Sequence, residues 1–137
     1  MRNTIIILTD SDAARLRGLI EASRRTVTRD RDHVEKLDEK LTLSEIVPDH
    51  HMPPNVVRMN ARVRIRDLDA KTILDYTLVF PGDADIAEGR ISVLAPLGTA
   101  MLGQWVGDEL EWVVPGGSRR IKVEDVRFQR REFRTAA

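Results

Sequence analysis

Few side chains in this chain have the type and spacing that chemistry requires. Asp30 and Asp32 lie two residues apart in a polar turn, and two carboxylates are a minimal set for recruiting magnesium once substrate phosphates help. The same pair at the start of a helix would instead meet the positive end of its dipole, and this plainer reading is preferred. Asp49, His50 and His51 offer a carboxylate and two imidazoles, but adjacent histidines beside Pro53-Pro54 do not converge on one ion, and His33 stands apart from them. No metal site and no cofactor are expected. Arg62, Arg64 and Arg66 put three guanidinium groups on one sheet face and with Arg58 could grip phosphates or an acidic protein surface, although a solvated face partly neutralised by Asp75 and its neighbours is the preferred reading. The chain has no cysteine, which removes thiolate metal sites and cysteine nucleophiles. Neither a nucleophile–base pair, a phosphate loop nor a paired-carboxylate site stands out, so an enzyme is not expected.

The elements that must carry these residues follow from periodicity. The β-branched run Thr4 to Leu8 reads as a short strand, and Thr9-Asp10-Ser11-Asp12 supplies an N-cap with an acidic first turn. Ala13, Leu16, Leu19 and Ile20 then mark an amphipathic helix that fades near Arg25 to Thr28. Val34, Leu37 and Leu41 mark a second helix over about residues 30–41, with a narrow, coiled-coil-like seam. The two predict an antiparallel hairpin with arms about 15 to 20 Å long. Its tip, residues 24–32, holds four arginines (Arg24, Arg25, Arg29, Arg31) and two aspartates (Asp30, Asp32). Pro53-Pro54 breaks the pattern, and a linker at 49–55 is expected between an N-terminal unit, 1–48, and a second domain, 56–137.

Beyond it the period becomes two. If Asp69-Ala70 centres a turn, Val63 faces Tyr76, Ile65 faces Leu74 and Arg64 faces Asp75. A second hairpin folds about Pro115-Gly116-Gly117-Ser118, setting Trp112 against Ile121, Leu110 against Val123 and Glu111 against Lys122. Ile91 to Leu94 reads as a strand and Pro96 to Leu102 as a short helix stopped by Gly103. The fold class is therefore α+β: a short helical hairpin plus an antiparallel sheet of four or more strands packed on one short helix.

The run Ile91-Ser92-Val93-Leu94-Ala95-Pro96-Leu97-Gly98, with Leu102-Gly103, Val106-Gly107-Asp108 and Pro115-Gly116-Gly117 following in order, resembles the C-terminal domain of the Gre-type transcript-cleavage factors. The whole chain, with its brief hairpin and its Val57-Arg58-Met59-Asn60 entry to the sheet, resembles more closely a shortened branch of that family, the regulators of nucleoside diphosphate kinase. The resemblance implies an FKBP-like C-terminal domain and a hairpin able to enter the secondary channel of bacterial RNA polymerase. It also implies a polymerase-docking surface at Pro96, Leu97, Gly98 and Met101, and nucleic acid nearby only through the polymerase. Family members that stimulate transcript cleavage carry acidic residues at the tip of a long hairpin. A short hairpin with an arginine-rich tip predicts polymerase binding without cleavage. A weak cleavage factor using Asp30 and Asp32 is the alternative within the family. An FKBP-like prolyl isomerase or interaction module is the alternative outside it, and the six aromatic residues are few for the lining such a pocket needs.

The 137-residue length suits one domain with a modest appendage, and 22 basic side chains balance 22 acidic ones. That balance hides segregation. Residues 24–31 hold four arginines against one aspartate, 32–49 six acids against two lysines, and 119–134 seven basic groups against three acidic ones. Such a pattern orients a protein on a charged partner better than it coats nucleic acid. The longest clean apolar run, Ile5 to Leu8, is too short to span a bilayer, so a cytoplasmic protein with no membrane and no small-molecule substrate is expected.

Overall fold

The computed structural model describes residues 5–25 and 31–128, with the side chains of Val113 and Val114 excepted. Strand β1 (Ile7–Thr9) runs directly into helix α1 (Asp10–Arg24), and the Thr9 side chain caps it by accepting from the Asp12 amide at 3.0 Å. Helix α2 (Arg31–Leu43) returns alongside and leads into β2 (Glu45–Val47), which pairs with β1 in parallel. Strand β2 was not anticipated, because three residues are too few to establish a period. The expected linker begins with a 3₁₀ turn at Asp49–His51.

The remaining strands are β3 (Arg62–Asp67), β4 (Thr72–Val79), β5 (Arg90–Ser92), β6 (Glu109–Val114) and β7 (Gly117–Arg127), ordered β5-β4-β3-β7-β6 in one sheet. The first hairpin has the expected register: Val63 opposes Tyr76, Arg64 opposes Asp75 and Ile65 opposes Leu74. Asp67 closes its turn by accepting from the amides of Asp69 and Ala70, both at 2.9 Å.

Two expectations need correction. The sheet is not wholly antiparallel, since β5 pairs with β4 in parallel after a crossover through residues 80–89 that contains two 3₁₀ turns. The second hairpin is also shifted. Leu110 opposes Ile121, Glu111 opposes Arg120 and Trp112 opposes Arg119, because the turn is the two-residue Pro115-Gly116 with Gly116 at φ +91°. A two-residue shift leaves every side chain on its original face, so alternation alone cannot detect it.

In β7 the apolar positions run Ile121, Val123 and Val126, all buried, and the change of parity is a bulge: Arg64 opposes Asp125 while Ile65 opposes Val123. The extra residue, Glu124, is left free to pair with Arg66 at 3.0 Å.

One apolar cluster joins the two parts of the chain. Leu16, Ile20, Val34, Leu37 and Leu41 from the helices share it with Val57, Met59, Val63, Ile65, Leu78, Leu97 and Met101. Helix α3 (Pro96–Met101) plugs this core, with Pro at its first position and Gly98 lying against β5. A Cβ at Gly98 would collide with the backbone oxygen of Ser92 and press on Leu78. Gly98→Ala should therefore cost about 1 to 3 kcal/mol, read as a lower urea midpoint with an unchanged slope.

Candidate functional site

The hairpin is tied to the sheet module by polar contacts at its base. Asp12, in the first turn of α1, accepts from the Met59 amide at 3.0 Å and is buried. Desolvation raises its pKa, while the Met59 bond and nearby Arg58 oppose the rise. Ser11 donates to Asp49 at 2.7 Å, and Asp49 pairs with Arg58 at 3.5 Å. The Ser11 bond leads the causes that lower the Asp49 pKa. Arg58, one of the expected basic set, stacks on Phe128 at 3.9 Å, and Arg15 of α1 stacks on Phe80 at 4.1 Å, so two guanidiniums clamp elements together.

Lys40 makes the corresponding tie from α2. Its Nζ donates to the carbonyls of Thr99 at 2.7 Å and Ala100 at 2.6 Å, satisfying acceptors that the six-residue α3 leaves open at its C-terminal end. Beside it a groove of about 370 Å³ opens between α2, α3 and β6. His33, Lys36 and Lys40 line one wall, Leu94, Pro96, Ala100 and Trp112 the other, with Glu111 also on the lining. His33, Lys36 and Lys40 recur at steps of three and four residues, which places them on one face of α2.

The expected site residues fall into separate places. Pro96 is exposed beside this groove, whereas Leu97, Gly98 and Met101 are buried and support it from behind. At the tip, Arg24 is committed to α2: it donates to Glu35 at 2.9 Å and to Asp38 at 2.8 Å, and the Glu35 bond leads the causes that raise its pKa. Arg25 lies 3.9 Å from Glu21, while Arg31 and Asp32 are exposed in the first turn of α2. Arg29 and Asp30 lie outside the described residues. Arg64 and Arg66 pair with Asp75 and Glu124, each raising the arginine's pKa, as expected of a partly neutralised face. The rings of His50 and His51 lie 4.2 Å apart at a tilt of 56°, and among the described residues no three potential ligands converge on a metal. No described helix is long and apolar enough to cross a membrane.

Residues 52–128 match the family described as transcription elongation factor, GreA/GreB, C-term. The chain belongs to the GreA/GreB family. The regulator of nucleoside diphosphate kinase from Escherichia coli K12 is 33% identical over 94% of this chain and 93% of that protein. Transcription elongation factor GreA from Rhodospirillum rubrum is 35% identical over 69% of this chain but only 60% of its own length. Among solved structures, the prokaryotic transcription elongation factor GreA/GreB from Nitrosomonas europaea superposes with a TM-score of 0.76 at 36% identity, covering 90% of this chain and 99% of that one. The GreA/GreB match begins at Met52, so it covers the sheet module and α3 and leaves the hairpin outside.

Sequence reasoning missed Lys40 and Asp12 as the residues that seat the hairpin. Their partners are backbone groups 59 and 47 residues away, and backbone groups carry no signal in residue type. Lys40 has a measurable consequence. Burial pushes its ammonium down to about 7, with Asp108 opposing the shift. A lysine in the unfolded chain titrates near about 10.4, so between about pH 7 and 10 unfolding takes up a proton, and stability rises with pH across that window. Lys40→Met removes this contribution. In urea titrations the stability of wild type relative to the variant should grow from about pH 7 to about pH 9.5.

Proposed function

We propose that this chain is a non-enzymatic transcription regulator that docks on bacterial RNA polymerase near the secondary channel and modulates elongation, or competes with longer-armed family members, without promoting transcript cleavage. The sheet module, read as FKBP-like, serves as the docking platform, with Pro96 at its surface and Leu97, Gly98 and Met101 fixing the loop that presents it. The hairpin of residues 1–48 is the part that enters the channel.

The observation that carries this reading is the hairpin itself. Arms of 15 and 13 residues reach only about 20 Å. Near the tip, Glu35 and Asp38 are engaged by Arg24, and the exposed groups there include Arg25 and Arg31, which repel rather than recruit a cation. Family membership supports the choice of partner.

Competition on backtracked elongation complexes tests this reading. Excess protein should suppress the 3′-fragment release stimulated by a long-armed GreA and should release none alone. Arg25→Glu combined with Arg31→Glu should weaken that competition by about fivefold to tenfold at low salt. Release of short 3′ fragments by the chain alone, abolished by Asp30→Ala with Asp32→Ala, would establish the cleavage alternative instead.

A further inference from the structure

Strand β4 is longer than the neighbour that covers its outer edge. β5 pairs only with Thr77 to Val79, so the edge of β4 is open along Thr72 to Tyr76. Backbone hydrogen bonds alternate between the two sides of a strand, and their phase is fixed here: Leu78 donates inward to Ala61 at 3.0 Å, while Thr77 donates outward to Gly89 at 2.7 Å. Ile73 and Asp75 share the outward phase of Thr77, and among the described residues their amides and carbonyls have no hydrogen-bond partner on that side. The side chains match this opening. Leu74 opposes the fully buried Ile65 on the core face of the sheet yet is 36% exposed, and Ile73 on the other face is 47% exposed.

The open stretch has definite ends. Lys71, at φ +60°, turns the chain out of the strand at one end, and Gly89 occupies the place beside Thr77 at the other. Leu74 is the midpoint of the residues between. An extended segment laid there gains backbone hydrogen bonds at Ile73 and Asp75 and meets an apolar residue on each face. An antiparallel copy of the same stretch, Thr72–Tyr76, meets both requirements. Ile73 of each copy then exchanges two hydrogen bonds with Asp75 of the other, Leu74 lies directly against Leu74, and Thr72 lies against Tyr76. No like charges face each other in this register, and the Asp75 carboxylate is already held by Arg64 of its own chain at 3.1 Å. The opposite edge of the sheet, β6, lacks this self-complementarity: exposed Glu109 and Glu111 sit at alternate positions, so two copies paired there would crowd carboxylates on one face.

We propose that two copies of this chain associate through the open edge of β4, joining their sheets about a twofold axis at Leu74. The interface is small, so the dimer is weak and forms at roughly tens to hundreds of micromolar. It lies at the end of β3 and β4 remote from Met59, whose amide seats Asp12, and leaves the base of the hairpin uncovered. This association is independent of polymerase docking.

Sedimentation velocity of the purified full chain tests the association. The average mass should rise from that of a monomer at about 10 µM towards that of a dimer at about 1 mM. Leu74→Lys sets like charges opposite each other and should weaken the dimer by about tenfold or more, and mixing it with Leu74→Glu should restore association. The chain has no cysteine, so Leu74→Cys should yield a disulfide-linked dimer on mild oxidation, whereas Leu43→Cys, at a more exposed position on α2, should cross-link far more slowly. Circular dichroism checks that each variant is folded, and the Leu74→Cys cross-link carries the test if Leu74→Lys is not. A monomer at every concentration up to about 1 mM, association indifferent to Leu74→Lys, or equally fast cross-linking through Leu43→Cys would overturn the proposal.

Discussion

Leu16, Ile20, Val34, Leu37 and Leu41 bury their side chains in the same apolar cluster as the sheet and α3, and this shared core governs how the hairpin can behave. Two helices of 15 and 13 residues are near the length at which isolated helices are marginal in water. Their stripe is stable because the sheet module supplies its other side. Asp12 on the Met59 amide and Lys40 on the α3 carbonyls then fix the angle at which the arms leave the module. Apolar contacts that extend to Ile20 and Val34 and polar contacts through Asp12 and Lys40 together hold the hairpin to the module.

The electrostatics follow the same division. Arginines that sequence alone allows to face a partner are in several cases internal struts: Arg15 and Arg58 lie on aromatic rings, Arg24 bridges the arms, and Arg64 and Arg66 pair across the sheet. Exposed pairs of this kind contribute little stability each, but they remove those charges from long-range attraction. Arg25 and Arg31, both exposed at the hairpin end, are what a partner would meet there.

Much of this fold is legible in the sequence. The first hairpin's register followed because Arg64 and Asp75 agree in charge where Val63, Ile65, Leu74 and Tyr76 agree in apolarity, which leaves a single alignment. The second hairpin slipped by two because Gly116 and Gly117 offer neighbouring turn centres, and a shift of two preserves alternation. The three-residue β2 was out of reach because of its brevity, and β5 was legible as a strand but its parallel pairing with β4 was not, since residue pattern does not carry strand direction. Within the site, the motif around Pro96 was recognisable as a motif, but residue type could not separate exposed Pro96 from buried Leu97 and Met101, since interface cores and protein cores share one chemistry. The wall that Lys36 and Trp112 build together was invisible, because it exists only once α2 lies beside β6.

The short hairpin and the sheet module are proposed to act together as a polymerase-binding unit. Fluorescence polarisation of the labelled chain titrated with core bacterial RNA polymerase addresses it most directly. Saturable binding at micromolar concentration or tighter, weakening as salt is raised, is the predicted result. The absence of any polarisation change at micromolar polymerase and low salt would contradict it.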